Sequence, residues 1–211
     1  MTNASLRSYG DPCGIARALD LVGERWSLLV VRELLFGPKR FTDLRAGLPG
    51  ASPNVLSQRL RELEGGGIVR RRQEGPATYE LTDWGLELRP LLVGLGRWGA
   101  RSKARPAGAL GVDALMVALE STFVPARAEG RTATYELRLG EQRFGAFVES
   151  GRLAIERGAP HKPDAVIETD AATLRAVVFG DRPLGEANVT LGGDRSLARA
   201  FFRFFARPAP A

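Results

Sequence analysis

The sequence of 211 residues has a single cysteine, Cys13, and a single histidine, His161. One thiol cannot form an internal disulfide, which fits a reducing compartment. A zinc site needs several His or Cys ligands at short spacing, and the chain does not offer them. His161 has no Gly-x-Ser-x-Gly motif to serve as a partner in a hydrolytic triad. We therefore expect a protein that is not an enzyme and that uses neither a metal nor another cofactor.

Long apolar runs are also missing from the sequence. No window approaches the roughly 18 uninterrupted apolar residues that a membrane-spanning helix needs. The N-terminal stretch has no apolar core followed by a cleavage site, as a signal peptide would have. The cytoplasm is therefore the expected compartment.

Positive charge is unevenly distributed along the chain. The net charge is +6; residues 1–105 contain 17 Lys and Arg against 11 Asp and Glu, whereas residues 106–211 contain 13 of each. A basic half joined to a neutral half indicates an anion-binding module attached to a different domain, although solvated surface charge is the alternative. The small, basic segment 100–111 contains Gly and Pro and marks the boundary between the predicted domains, 1–105 and 106–211.

The apolar periodicity of the first domain predicts the order helix, helix, helix, helix, hairpin, helix. Ser52 and Pro53 form a helix-start signal, and the helix that they begin ends at the glycine run 65–67. Two short strands follow, at 68–73 and 77–81. Two helices with a tight turn between them and a hairpin behind them make a winged helix-turn-helix, whose second helix enters the major groove of DNA.

The helix that starts at Pro53 has two different faces. Leu56, Leu60 and Leu63 lie within about 60° of arc at 100° per residue, which predicts that they are buried. The opposite face carries residue types that bind base edges. Any surface helix shows polar residues outward, but the cap, the turn, the basic hairpin and the charge of this half together favour DNA binding. The predicted DNA contacts are Ser52, Asn54, Ser57, Gln58, Arg61, Arg70, Arg71 and Arg72.

Four motifs in the first half carry a resemblance to a known family. They are Gly23-Glu24-Arg25-Trp26, Arg40-Phe41 with Leu44, Arg59-Leu60-Arg61-Glu62-Leu63, and Tyr79 with Leu81-Thr82. Over residues 13–100 the chain resembles the HxlR type of winged-helix transcription regulators, relatives of the MarR regulators. The resemblance implies a homodimer that binds double-stranded operator DNA, with 53–64 as the recognition helix and 68–81 as the wing. The wing is short, and Glu74 at its tip would repel phosphate, so we assign the hairpin contacts to the three arginines.

Two further features of the first half concern regulation and assembly. The resemblance implies that Cys13 is a candidate redox sensor, whereas a small buried residue near a helix start is the alternative. The last helix of the domain has more apolar residues than a small domain needs to bury: Leu88, Leu91, Leu92, Leu95 and Trp98. We expect that helix to pack across a two-fold axis, with help from the helix at 14–22.

The second half predicts an α+β domain in which helices pack on a sheet. Its last part, residues 174–205, has a helix, a Gly turn, a short strand, a Gly-Asp turn and a closing helix. This order resembles the end of the sterol carrier protein-like domain, and it implies a sheet-and-helix sandwich with an apolar tunnel for a lipid-like ligand. The candidate ligand-binding residues are predicted to share one face of a helix at 194–206, although the same face suits a plain core: Leu197, Phe201, Phe204 and Phe205.

Two classes of function follow from these patterns. The first is a DNA-binding transcriptional regulator of the HxlR type that an apolar ligand in the C-terminal domain modulates. The second is a lipid-binding or small-molecule-binding protein whose winged helix only mediates protein contacts. Salt-dependent affinity for DNA distinguishes the two, because neutralised phosphates release counterions.

Overall fold

The computed structural model of the protein describes residues 8–72, 75–104 and 108–211. The chain divides into two compact units, Met1–Leu92 and Val93–Ala211. The prediction for Glu74 lies outside the described residues. Within the described part of the chain, no helix is both long enough and apolar enough to cross a membrane.

The first unit contains four helices, a hairpin, a short fifth helix and the start of a sixth helix, whose later residues belong to the second unit. The elements are α1 (Gly14–Val22), α2 (Ser27–Leu34), α3 (Phe41–Gly47), α4 (Pro53–Gly65), β1 (Val69–Arg72), β2 (Thr78–Leu81), α5 (Asp83–Leu86) and α6 (Leu88–Gly99). The predicted order is confirmed, except that the last helix is two helices. Pro90 explains the break, because it has no N–H group and its ring clashes with the carbonyl group four residues earlier, that of Leu86.

The helix-turn-helix is held together by a shared apolar core. Leu56, Leu60 and Leu63 of α4 are at most 1% exposed, and Val30 and Leu44 from α2 and α3 are fully buried. Burying each such side chain stabilises the fold by about 1.5–3 kcal/mol relative to leaving it in water. The hairpin is tied to this core through the backbone of the α2–α3 connection.

That tie is a short stretch of sheet-like pairing. The N–H of Lys39 donates to the carbonyl of Tyr79 at 2.9 Å, and the N–H of Tyr79 donates back to Lys39 at 2.8 Å. The strands β1 and β2 pair antiparallel, with Arg70 opposite Glu80 and Arg71 opposite Tyr79. The wing is therefore anchored at its base, beside the helix-turn-helix.

The second unit is built on one five-stranded sheet. After α6 come α7 (Val112–Thr122), β3 (Ala133–Leu139), β4 (Gln142–Glu149), β5 (Arg152–Arg157), β6 (Ala165–Thr169), α8 (Ala171–Phe179), β7 (Thr190–Gly193) and α9 (Arg195–Phe201), with 3₁₀ turns at Pro125–Arg127 and Leu184–Glu186. The strand order is β5-β4-β3-β6-β7, and only the pair β3 and β6 is parallel among the described strands. A C-terminal region of helices and a sheet is confirmed.

The last helix is shorter than predicted. It ends at Phe201, and the next residues form turns in which the N–H of Phe204 bonds to the carbonyl of Phe201. The chain then pairs with the segment after α7: the N–H of Val124 donates to Phe204 at 2.8 Å, and that of Ala206 donates to Thr122 at 3.0 Å. The prediction that Phe204 and Phe205 lie on a helix face is wrong, because these backbone bonds replace helical ones.

Candidate nucleic-acid interface

The recognition-helix candidate, α4, begins and ends as its sequence predicts. The Ser52 hydroxyl accepts a hydrogen bond from the N–H of Val55 at 3.4 Å, Pro53 occupies the first turn, and Gly66 follows the last residue. Asn54, Gln58 and Arg61 are exposed, and Ser57 is half-buried beside them. Ser52 is exposed as well, although its side chain is used in the cap. One helix face therefore brings together Asn54, Gln58 and Arg61, with Ser57 beside them, whereas Ser52 lies at the N-terminal end of the helix.

Two contacts from the segment before α2 hold the helix-turn-helix in place. Trp26 adopts a left-handed backbone conformation, with φ 81°, which is costly for a bulky residue. Its indole lies against Gly50 in the turn between α3 and α4, where even a Cβ atom would stand 2.9 Å from a ring carbon. The carboxylate of Glu24 lies 3.3 Å from Nη1 of Arg59 in α4. The strained backbone at Trp26 thus places its indole against the α3–α4 turn and the Glu24 carboxylate against α4.

Arg59 is a buried charged residue of α4 that the sequence did not lead us to assign to the site. It is only 8% exposed, and its Nη1 lies 2.6 Å from Oε2 of Glu62. The signal was available, because Arg59 stands three residues after Leu56 and four before Leu63, on the apolar stripe. A charged residue at such a position is rarely buried unless it is paired, and the structure pairs Arg59 with Glu24 and Glu62.

The polar face of α4 also contains an internal hydrogen bond. Nε2 of Gln58 donates to Oε1 of Glu62 at 3.0 Å. Gln58 is therefore held by the same carboxylate that pairs with Arg59. Glu62 was not predicted as part of the site, and the motif around it gave no indication of this role.

The three wing arginines are not equivalent. Nε of Arg70 donates to Glu80 at 2.7 Å, and Nη1 of Arg72 lies 3.5 Å from the same carboxylate. Because successive side chains in a strand point to opposite faces, Arg71 lies on the other face, with its guanidinium 6.0 Å from the centre of the Tyr79 ring. Within the described part of the chain, no carboxylate pairs with Arg71. Its charge is thus the least neutralised of the three.

Apolar side chains are exposed on α1 and α6. On α6, Leu91, Leu95 and Trp98 are 66%, 48% and 73% exposed, and their spacing of four and three residues puts them on one stripe. On α1, Ile15 and Leu19 are exposed as well. An open groove of about 350 Å³ runs beside Leu21, Trp84 and Leu91. An exposed apolar stripe on a helix is a candidate interaction surface.

Cys13 is exposed at the N-cap of α1. Its backbone N–H donates to the carboxylate of Asp11 at 2.8 Å. The alternative of a buried structural cysteine is therefore wrong.

The predicted ligand-binding residues of the second unit lie in a packed aromatic cluster. Phe201, Phe204 and Phe205 are at most 4% exposed, whereas Leu197 is half-buried. The ring centre of Phe201 lies 5.1 Å from the ring centre of Phe205 and 5.0 Å from that of Tyr135 in β3. These rings fill the space between α9 and the sheet with the chain's own side chains, so in this structure they form core and do not line a tunnel.

Comparisons with known proteins match the part of the chain that contains the helix-turn-helix. A family model described as HxlR-like helix-turn-helix matches residues 21–106. The chain is 43% identical over 86 residues to the uncharacterized HTH-type transcriptional regulator YvaP of Bacillus subtilis, a match that covers 39% of this chain and 80% of YvaP. It is 40% identical over 95 residues to the uncharacterized HTH-type transcriptional regulator sll1512 of Synechocystis sp., covering 43% and 70%. The crystal structure of quinone-bound YodB from B. subtilis matches with 34% identity and a TM-score of 0.37, covering 40% of this chain and 93% of YodB.

The matches to YvaP and sll1512 span most of those relatives, and the residues that the family model matches include the helix-turn-helix. They favour the regulator over a lipid-binding protein whose winged helix only mediates protein contacts. The chain belongs to the HxlR-like helix-turn-helix family, and it is a DNA-binding transcriptional regulator of the HxlR type.

Proposed function

We propose that α4 reads base edges of an operator in the major groove. The observation that carries the proposal is its exposed polar face, opposite a leucine stripe that fixes the helix in the core. Asn54 and Gln58 suit adenine, Arg61 suits guanine, and Ser57 suits either base. Ser52, at the N-cap, stands where a helix N-terminus meets a phosphate group.

The wing contributes contacts to the DNA backbone in this proposal. Arg71 is the main phosphate contact, because its charge has no carboxylate partner within the described part of the chain. Arg70 and Arg72 contribute less than the sequence alone predicts, since Glu80 neutralises part of their charge. Exposed ion pairs are weak, so DNA phosphates can compete for both arginines.

Replacing Arg61 or Gln58 with alanine is expected to weaken operator binding by about 1–3 kcal/mol, the value of a bidentate base contact. Binding to random DNA should change much less, because base contacts are lost and phosphate contacts remain. The operator is first mapped by footprinting, and both affinities are then measured over a range of salt concentrations.

Arg71→Ala is the matched control for these two variants. It should weaken binding to operator and to random DNA about equally. The slope of log affinity against log salt concentration should become shallower by about one. Equal losses on both DNAs for Arg61→Ala and Gln58→Ala would show that another face of the helix meets the bases.

We further propose that the regulator is a homodimer that binds a pseudo-palindromic operator. The support is the exposed apolar stripe of α6 and the exposed apolar residues of α1. A two-fold symmetric dimer places two recognition helices about one or two turns of DNA apart, roughly 10 or 20 base pairs.

Leu91→Glu is expected to convert the dimer to a monomer, because it places a charge within the exposed apolar stripe of α6. Light scattering at micromolar concentration should give twice the mass of one chain for the wild type and the mass of one chain for the variant. Leu91→Ala keeps the stripe apolar and should weaken the dimer less. A wild-type protein that is monomeric under these conditions contradicts the proposal.

Two regulatory roles remain proposals. Cys13 is a redox candidate because it is exposed at the N-cap of α1, where an oxidant can reach its thiol. Operator binding after mild oxidation, compared between the wild type and Cys13→Ser, tests this role. A ligand of the second unit is supported by Tyr135, whose buried hydroxyl has no hydrogen-bond partner within the described residues. An unpaired buried hydroxyl costs about 1–3 kcal/mol, which a polar ligand atom would offset. The resemblance to sterol carrier protein also stays a prediction.

A further inference from the structure

Four side chains form a continuous chain of contacts that ends at the DNA-reading face. Glu24 lies 3.3 Å from Nη1 of Arg59, Arg59 lies 2.6 Å from Oε2 of Glu62, and Oε1 of Glu62 accepts the 3.0 Å hydrogen bond from Gln58. We call these four residues the Gln58 network. Both oxygens of the Glu62 carboxylate are used, one for the arginine and one for the amide.

The Gln58 network runs around α4 from the exposed face to the core. At 100° per residue, with Leu56 at zero, Gln58 lies at about 200°, Glu62 at about 240° and Arg59 at about 300°. Exposure falls in the same order: Gln58 is exposed, the Glu62 side chain is 25% exposed and the Arg59 side chain is 10% exposed. Two residues at i and i+4 that interact only with each other on a helix surface contribute little. Here the buried Arg59 also holds the Glu62 carboxylate in place.

The hydrogen bond determines which groups Gln58 can offer to DNA. The amide has one oxygen that accepts and two N–H groups that donate. Because Glu62 can only accept when ionised, it must face the nitrogen and occupies one N–H. One donor and one acceptor remain. Adenine presents a donor at N6 and an acceptor at N7, whereas guanine presents two acceptors, O6 and N7.

We infer that Glu62, held by Arg59, which in turn pairs with Glu24, positions Gln58 to bind adenine and disfavours guanine. The inference rests on the proposed readout by α4. Glu62 and Glu24 act as positioning residues: they do not contact the base, and they remove the alternative orientation in which Gln58 donates both N–H groups. Fixing one side chain in advance saves the ordering cost of that side chain on binding.

The experiment uses the full-length protein and the footprinted operator. The operator position at which Gln58→Ala abolishes base preference is identified first. Operators with each of the four base pairs at that position are then compared. Glu62→Ala is compared with Glu64→Ala, which removes the same charge from an exposed position of the same helix. Both variants should raise affinity for random DNA to a similar extent, since each removes one negative charge near phosphate. Only Glu62→Ala should reduce the preference for adenine over guanine, by about two- to tenfold.

The outcomes separate this inference from the proposed function. If Gln58→Ala leaves the preference at every position unchanged, readout by Gln58 fails and the inference fails with it. If Gln58→Ala removes the preference but Glu62→Ala keeps it, the inference alone is overturned. Glu24→Gln leaves the Arg59–Glu62 pair in place and provides a second test should Glu62→Ala not fold. It should reduce the preference by a smaller factor than Glu62→Ala, and an unchanged preference overturns the part assigned to Glu24.

Discussion

Replacing Phe201 with alanine is expected to lower the free energy of unfolding of the second unit by about 3–5 kcal/mol. Phe201 is fully buried, and its ring is in contact with Tyr135, Phe204 and Phe205. Alanine would remove the ring from the centre of the cluster and leave a cavity that the sheet on one side cannot close. Aromatic pairs with tilted or edge-to-face geometry add about 0.5–1.5 kcal/mol each beyond their buried area.

Native-state hydrogen exchange of the β3 and β4 amides measures this loss in the second unit alone. Phe202→Ala is the matched control, because the neighbouring ring is only half-buried, and its loss should be clearly smaller. Uptake of an apolar dye also distinguishes a packed core from a ligand site. If the folded wild type takes up an apolar dye and Phe201→Ala has little effect on exchange, the rings line a ligand site; no uptake and a large loss mean that they are core.

The recognition helix was predictable because its signals are local. Ser52 and Pro53 satisfy the helix N-terminus, and the three leucines recur at helical spacing regardless of the rest of the fold. The hairpin was predictable for a similar reason, since its two short strands flank a turn. The break at Leu86–Leu88 had an equally local cause in Pro90, and a stricter reading of that proline would have found it.

The remaining differences depend on partners that are distant in sequence. The last helix ends at Phe201 because the residues that follow bond to Thr122 and Val124, more than 70 positions earlier. The left-handed Trp26 depends on Gly50, and the partial neutralisation of Arg70 depends on the strand register that places Glu80 opposite it. Helical periodicity and residue type contain none of this information, so they predicted which residues cluster but not which charges remain available.

A buried carboxylate in α2 is expected to be the main electrostatic anchor of the helix-turn-helix. Glu33 is 2% exposed, and its two oxygens bond to different cations: Arg32 at 2.8 Å and Lys39 at 2.7 Å. Lys39 precedes α3 and also pairs with Tyr79 through the backbone. Gly47, the last residue of α3, lies so close to the carboxylate that a Cβ atom there would collide with it. One side chain therefore joins α2, α3 and the base of the wing.

Glu33→Ala should destabilise the first unit by about 3–5 kcal/mol, because it removes a buried carboxylate that pairs with two largely buried cations, Arg32 and Lys39. Glu33→Gln should lose less, since its amide oxygen still accepts one hydrogen bond, and the exposed Glu64→Ala should lose almost nothing. Hydrogen exchange of the α2 amides reports these changes, and operator binding should fall only at temperatures where the unit unfolds. A loss below about 1 kcal/mol for Glu33→Ala, the range of an exposed ion pair, would mean that Arg32 and Lys39 reach water freely. The helix-turn-helix would then be held by its leucine core alone.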